Sequence, residues 1–202
     1  MSDISKGLLI RTAEMSDLEA IAAVEAECFP AAEAATREEF KERLSFYKEH
    51  FWLLFADDDS ADKSSSEDSS ENISEASVSD SDSKGLTYAA KKQRLIAFVD
   101  GMVTDEVDLT DEMYERADMH NESGCWQMIF GVNTLPSYRK HGYAGMLLET
   151  AISDAKKQGR KGLVLTCKDK LIHYYAKFGF VNEGISASVH GNVTWYQMRL
   201  TF

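Results

Sequence analysis

Apolar residues in this chain fall into two periodicities, one helical and one extended. Leu18, Ile21, Ala22 and Val24 recur at three- and four-residue spacing, one face of a helix, and Ser16 followed by Glu19 predicts the capping box that opens it. Thr36 and Glu39 repeat that signal ahead of Phe40, Leu44 and Phe46, which predicts a second helix. Residues 7–12, 51–55 and 95–103 read as strands, with Gly101 expected to mark a bulge in the last. A short helix is expected over 109–117 and a fourth strand over 126–134. Residues 143–157 place Ala144, Leu147, Leu148, Ala151, Ile152 and Ala155 on one helical face, closed by Gly159. A continuous apolar strand over 163–167 follows, then a short helix over 171–178. The chain ends in an antiparallel pair, 180–188 and 193–200, turned around Gly191-Asn192. Strands alternating with about four helices and closing in a hairpin define an α/β (α+β) chain with a mixed central sheet.

One stretch breaks the pattern. Over residues 57–83, eleven residues are Ser, ten are acidic and one is Lys, with almost nothing able to bury. Such a composition cannot offset the entropy of ordering, so residues 57–84 are expected to form a disordered hairpin insertion outside the packed fold. A phosphorylation or partner tract is the functional alternative; a tolerated surface insertion is favoured, because lengthening a loop costs little free energy. The rest of 1–202 suffices for one well-buried core, and a single domain is expected.

The same tract carries −9 of the formal net charge of −12, leaving −3 elsewhere. That balance, without clustered Lys and Arg, argues against nucleic acid as a partner. Cys28, Cys125 and Cys167 are odd in number and far apart, with no His at a ligand spacing. Neither a disulfide nor a metal site is expected, and a reduced, cytoplasmic compartment fits best. No window reaches the roughly 18 apolar residues needed to span a bilayer, so no membrane partner is expected.

The chemistry is concentrated in Arg139-Lys140-His141-Gly142-Tyr143-Ala144-Gly145, between a strand and an amphipathic helix. Backbone N–H groups converge at a helix N-terminus and favour an anion there. Gly142 lets the backbone approach a bound group, Ala144 avoids crowding it, and Arg139 and Lys140 add positive charge. A pyrophosphate fits such a loop, although a solvated basic loop has the same composition. Neither G-x-G-x-x-G nor G-x-x-x-x-G-K-[ST] is present, so dinucleotide and P-loop readings have no motif behind them.

Arg-x-x-Gly-x-Ala after a strand resembles the acetyl-CoA signature of the GNAT superfamily of N-acetyltransferases. Tyr174-Tyr175-Ala176-Lys177-Phe178-Gly179-Phe180 resembles that superfamily's Tyr-x-x-x-Gly-Phe segment. The likeness extends to the serotonin (arylalkylamine) N-acetyltransferase branch and its bacterial relatives. It runs through Glu27-Cys28-Phe29, residues 95–101, Asp105-Glu106 with Leu109-Thr110, and Thr166-Cys167-Lys168-Asp169, and covers nearly everything but the Ser-rich tract.

The resemblance implies the GNAT fold, with the sheet splayed between its fourth and fifth strands, and acetyl-CoA as cosubstrate held by the segment 126–157. It implies that Val132, Asn133 and Thr134 pair with the pantetheine amides as an added strand would. Arg139, Lys140, His141, Gly142, Tyr143, Ala144 and Gly145 would receive the pyrophosphate, and Tyr175 would protonate the departing thiolate. Where animal serotonin-acetylating enzymes carry two histidines, this chain has Met128 and Phe130, so the proton acceptor must be another group. His120, Asp105 and Glu106 are candidates, with His173 and His190 less convenient. Cys167 stands near the expected thioester, but a buried small residue is the favoured reading over an acyl-Cys nucleophile.

The expected reaction is direct attack of a small primary amine on acetyl-CoA in a ternary complex, by a monomer or homodimer. Glu27, Glu33, Asp105 and Glu106 would attract the cationic amine. A protein N-acetyltransferase and a non-catalytic acyl-CoA sensor are the alternatives.

Overall fold

The computed structural model describes residues 7–57 and 93–202; the Ser-rich tract lies outside the described residues. Strand β1 (Leu8–Thr12) leads into α1 (Leu18–Cys28) and α2 (Arg37–Tyr47), followed by β2 (Phe51–Asp57) and β3 (Gln93–Asp100). Then come β4 (Val103–Thr104), α3 (Glu112–Glu115), β5 (Trp126–Ile129), β6 (Gly131–Thr134) and α4 (Tyr143–Lys157). The chain closes with β7 (Gly162–Cys167), α5 (Ile172–Ala176), β8 (Val181–Ile185) and β9 (Tyr196–Thr201).

The strands form two sheets rather than one, in the orders β1-β2-β3-β6 and β4-β5-β7-β9-β8. Two breaks in predicted strands separate them. The run 95–103 ends at Asp100 because Gly101 passes too close to the next strand: a Cβ there would lie 1.8 Å from the Met128 carbonyl oxygen. Gly101 therefore serves close approach and not a bulge; the irregularity of register falls between Leu54 and Phe55.

The run 126–134 breaks at Phe130. Asp100 pairs with Gly131, while the Phe130 N–H also donates to the Asp100 carbonyl (2.8 Å). Two consecutive residues facing one partner constitute a β-bulge, which bends the strand. Upstream of it, β5 pairs in parallel with β7; downstream, β6 pairs with β3 and leaves β7 behind. The splay thus opens between β6 and β7, the end of the predicted fourth strand and the fifth.

Continuous apolar runs explain why β2 and β3 are covered on both faces, with α1 and α4 both packed on β3. Leu147, Leu148, Ala151 and Ala155 of α4 are buried, and Asp154 on the same helix accepts from the Trp52 indole at 3.0 Å. α2 begins as predicted, with the Glu39 N–H donating to Thr36 Oγ1 (3.2 Å) and the Thr36 N–H to Glu39 Oε2 (2.6 Å). Phe46 faces outward, however, and Tyr47 takes the buried place. α1 is not opened by Ser16 and Glu19. Asp17 stands at that corner, accepting the Glu14 N–H (2.8 Å) and a two-pronged contact from Arg11 (2.7 Å each). The predicted helices over 109–117 and 171–178 shorten to α3 and α5, each continued or preceded by one 3₁₀ turn. The closing hairpin turns through a longer connection in which the Ser186 N–H reaches the Trp195 carbonyl (2.8 Å).

Candidate active site

The splay exposes one edge of β6. The Leu135 N–H donates to the Ile96 carbonyl (2.9 Å), so by the alternation of an antiparallel ladder Asn133 turns its backbone to β3. Val132 and Thr134 turn theirs to the open edge, where an extended ligand can add as a strand. The Asn133 side chain is buried beside Gly131 and near Asp100 and Glu25.

Beside this edge lies a cleft of about 700 Å³ lined by Val132, Thr134, Arg139, Lys140, Gly142, Tyr143 and Ala144 on one side and by Lys168, Lys170, Tyr174 and Tyr175 on the other. At one end of the cleft α4 starts after Gly142, whose φ of 86° favours glycine, and the first-turn N–H groups there have no partner within the helix. Lys140 is held in the same left-handed region at φ 68°. His141 lies just outside and stacks on Tyr143 (5.6 Å), and Gly145 packs against Phe178. Arg139 is partly committed, its Nε donating to the Thr134 carbonyl at 3.1 Å.

A second cavity of about 160 Å³ continues from the cleft on the α1–α2 side. The two share Phe29, Glu33, Val132, Leu171, Tyr175 and Trp195. The smaller one is walled by Tyr114, Phe130 and His190, with Tyr114 stacked on His190 (5.5 Å) and tilted on Phe130 (4.7 Å). Its floor is charged: Arg43 Nη1 lies 3.3 Å from Asp100 Oδ2, both buried, and Glu25 stands beside them. Burial pushes Asp100 up to about 6 against the pull of Arg43 and the Gly131 N–H. The Gly131 N–H and Arg43 both donate to the Asp100 carboxylate beside the bulge.

Tyr175 is buried where the two cavities meet, its ring edge-on to Tyr174 (5.2 Å) and Phe180 (6.1 Å). Burial, then Cys167 nearby, raises its phenol above the usual range, so it stays protonated. Cys167 lines the smaller cavity, and burial pushes its thiol up to about 11, which leaves little thiolate at neutral pH. Of the positions that differ from the serotonin-acetylating pattern, Met128 is in the core and Phe130 faces the smaller cavity.

The candidate proton acceptors are scattered. Asp105 is exposed and accepts from Asn121 (3.0 Å) and the Cys125 N–H (3.1 Å); Glu106 and His173 are exposed; none of these lines either cavity. His190 does, with its Nε2 3.1 Å from the Glu33 carbonyl. His120 instead joins His50 and Glu122, a group whose ligand atoms lie within 4.8 Å of one another. Its Nδ1 accepts the Val103 N–H (3.2 Å), so its Nε2 carries the proton toward Glu122 and has no lone pair for a cation. Glu27 is exposed, 3.7 Å from Arg94.

Glu25, Arg43 and Asp100 are site residues that motif reading does not find. Glu25 does leave a trace in the sequence: it falls on the apolar face of α1 with Leu18, Ile21 and Cys28, where a carboxylate is out of place.

Residues 45–180 match the model of the acetyltransferase (GNAT) family. Serotonin N-acetyltransferase of Mesocricetus auratus is 28% identical over 107 residues, which is 52% of this chain and 50% of that protein. The chain thus spans about half the length of this curated relative. Among solved structures, the loading GNATL domain of CurA from Lyngbya majuscula superposes with a TM-score of 0.67 at 14% identity, covering 96% of this chain and 97% of that one. The GphF GNAT-like decarboxylase in complex with isobutyryl-CoA gives 0.65 at 18% identity (96% and 98%). The ribosomal-protein-S18-alanine N-acetyltransferase from Escherichia coli gives 0.57 at 16% (96% and 93%). At these identities the likeness is one of fold. Among the described residues no helix is long and apolar enough to cross a membrane.

Proposed function

Because the chain belongs to the acetyltransferase (GNAT) family, a family of acyl-CoA-dependent acetyltransferases, we propose that it transfers acetyl from acetyl-CoA to a small primary amine. The observation that carries this reading is the meeting of two unlike cavities at Val132 and Tyr175. The cleft suits the cosubstrate: Val132 offers backbone partners to an extended amide chain, with the Thr134 carbonyl already bonded to Arg139, while the start of α4 with Lys140 and Lys170 suits phosphates. The smaller cavity, acidic at its floor and aromatic in its walls, suits an amine with a modest apolar body. At about 160 Å³ it is well below the space a drug-sized ligand fills.

In this reading the amine attacks the thioester carbonyl directly, with the two substrates held in line across the junction. Backbone N–H groups at the open edge of β6 stabilise the charge that develops on the carbonyl oxygen. Tyr175 supplies the proton that the departing sulfur takes.

A protein N-terminus as acceptor is the second reading, favoured by the fold likeness to the S18-alanine N-acetyltransferase; the small cavity speaks for the small amine. Acetyl-CoA-dependent thiol release, measured over arylalkylamines, polyamines, amino acids and lysine or N-terminal peptides, tests both. Turnover confined to small amines is expected. Turnover confined to peptides would establish the second reading, and CoA binding without any turnover would point to an acyl-CoA sensor.

A further inference from the structure

The proposed reaction needs a group to take the proton that an ammonium must lose before its nitrogen can attack, and the relatives' histidine positions hold Met128 and Phe130. We infer that Glu25 is that proton acceptor. This assignment rests on the amine acetyltransferase reading above.

Four observations carry it. Glu25 lines the smaller cavity, the same space that Tyr175 and Val132 close on the cleft side. Its side chain is almost fully buried, with the residue 6% exposed. One oxygen, Oε1, is fixed by the Ala35 N–H at 3.1 Å, and the other, Oε2, is buried with the Asn133 side chain beside the carboxylate. An oriented carboxylate at the border of a cavity is what a proton acceptor requires. Finally, its neighbours tune it. Burial first, then Asp100 on β3, raises the carboxyl to about 7, while the Ala35 N–H, Arg43 on α2 and Asn133 on β6 pull the other way. Glu39 from α2 and Glu33 from the loop between α1 and α2 face the same cavity, and Cys28 lies one turn along α1. A base poised near the working pH serves proton transfer best.

The proton balance closes. The ammonium gives one proton to the Glu25 carboxylate, and the freed lone pair forms the N–C bond. As the C–S bond breaks, sulfur takes the Tyr175 proton and the second nitrogen proton replaces it on the phenol. That replacement matters, because a thiol is ordinarily a stronger acid than a phenol. Glu25 then releases its proton to solvent, and the net products are the amide, the free thiol of CoA and one proton.

His190 is the rival, the one other titratable nitrogen on the cavity wall among the candidates above. The experiment compares wild type, Glu25→Gln, Glu25→Asp and His190→Asn, with melting and CoA binding verifying that each is folded. Wild type is expected to show a kcat that falls as pH drops through about 7, at a midpoint that stays put when amines of different basicity are used. Glu25→Gln is expected to lose about 10²-fold in kcat along with that limb, at unchanged KM for acetyl-CoA. Glu25→Asp retains the limb at reduced rate; His190→Asn, in the wall of the same cavity, is expected to shift KM for the amine and to retain the limb.

A Glu25→Gln enzyme with wild-type kcat and an intact limb would overturn the assignment. So would a limb that tracks the amine's own basicity, which the wild-type profile reads without any variant, or one that disappears with His190. Absence of turnover by wild type with every amine would instead sink the amine acetyltransferase reading, and this assignment with it.

Discussion

Lys168 Nζ lies 2.8 Å from both carboxylate oxygens of Glu33, tying the end of β7 to the loop after α1 across 135 residues of chain. Glu33 belongs to the lining of both cavities and Lys168 to that of the cleft, so the pair straddles their junction. The Lys168 ammonium also lies 5.6 Å from the centre of the Trp195 ring, a third wall of the same junction.

Breaking that pair is expected to loosen the loop over the acceptor cavity. Exposed pairs are worth at most about 1 kcal/mol, and this one is better sheltered. Glu33→Gln should raise KM for the amine about fivefold, the equivalent of about 1 kcal/mol, with kcat little changed. Steady-state kinetics with the amine varied checks it, and an unchanged KM would show that the loop is held by other contacts.

Gly142 opens α4 at φ 86° with nothing within 4 Å of where a Cβ would stand, so the barrier to a larger residue there is conformational and not steric. Gly142→Ala should therefore cost about 1–2 kcal/mol in the geometry of the anion loop. We expect a roughly tenfold weaker affinity for CoA by calorimetry.

The Cys167 thiol, pushed up to about 11, is expected to be a packing residue. Cys167→Ala should keep kcat within about threefold, since no covalent step is lost, and destabilise modestly. Mass spectrometry of the enzyme mixed with acetyl-CoA should show no acetylated protein intermediate; finding one that vanishes in the variant would contradict direct transfer.

Burial raises the Glu25 carboxyl to about 7 in the folded chain, so the protonated form favours folding. That contribution is fully present below the ordinary carboxylate range and is lost as pH rises through about 7. Glu25→Gln removes the loss, amounting to roughly 3 kcal/mol at alkaline pH. Its melting temperature should exceed that of wild type at pH 8 by several degrees and converge on it near pH 5. Asp100, raised to about 6, acts in the same direction, so the variant keeps part of the slope at lower pH.

Periodicity and punctuation determine much of this protein directly. Helix α4, with its apolar face and its start after Gly142, and the capping box Thr36–Glu39 are local events, decided by residues within a few positions of one another. The loop 139–145 is legible for the same reason, since a helix N-terminus and its basic neighbours are contiguous. Tertiary structure decided what depends on distant backbone. Residues 126–134 read as one strand, because nothing local reveals that Phe130 and Gly131 both face Asp100 and that the strand must leave one sheet for another. The acceptor cavity escaped local reading as well: Glu25, Arg43, Asp100 and Tyr114 come from four separate segments and acquire their chemistry only when burial removes water from around them. Sequence determines the loop before α4, where geometry is short-range; the smaller cavity exists only once the two sheets part.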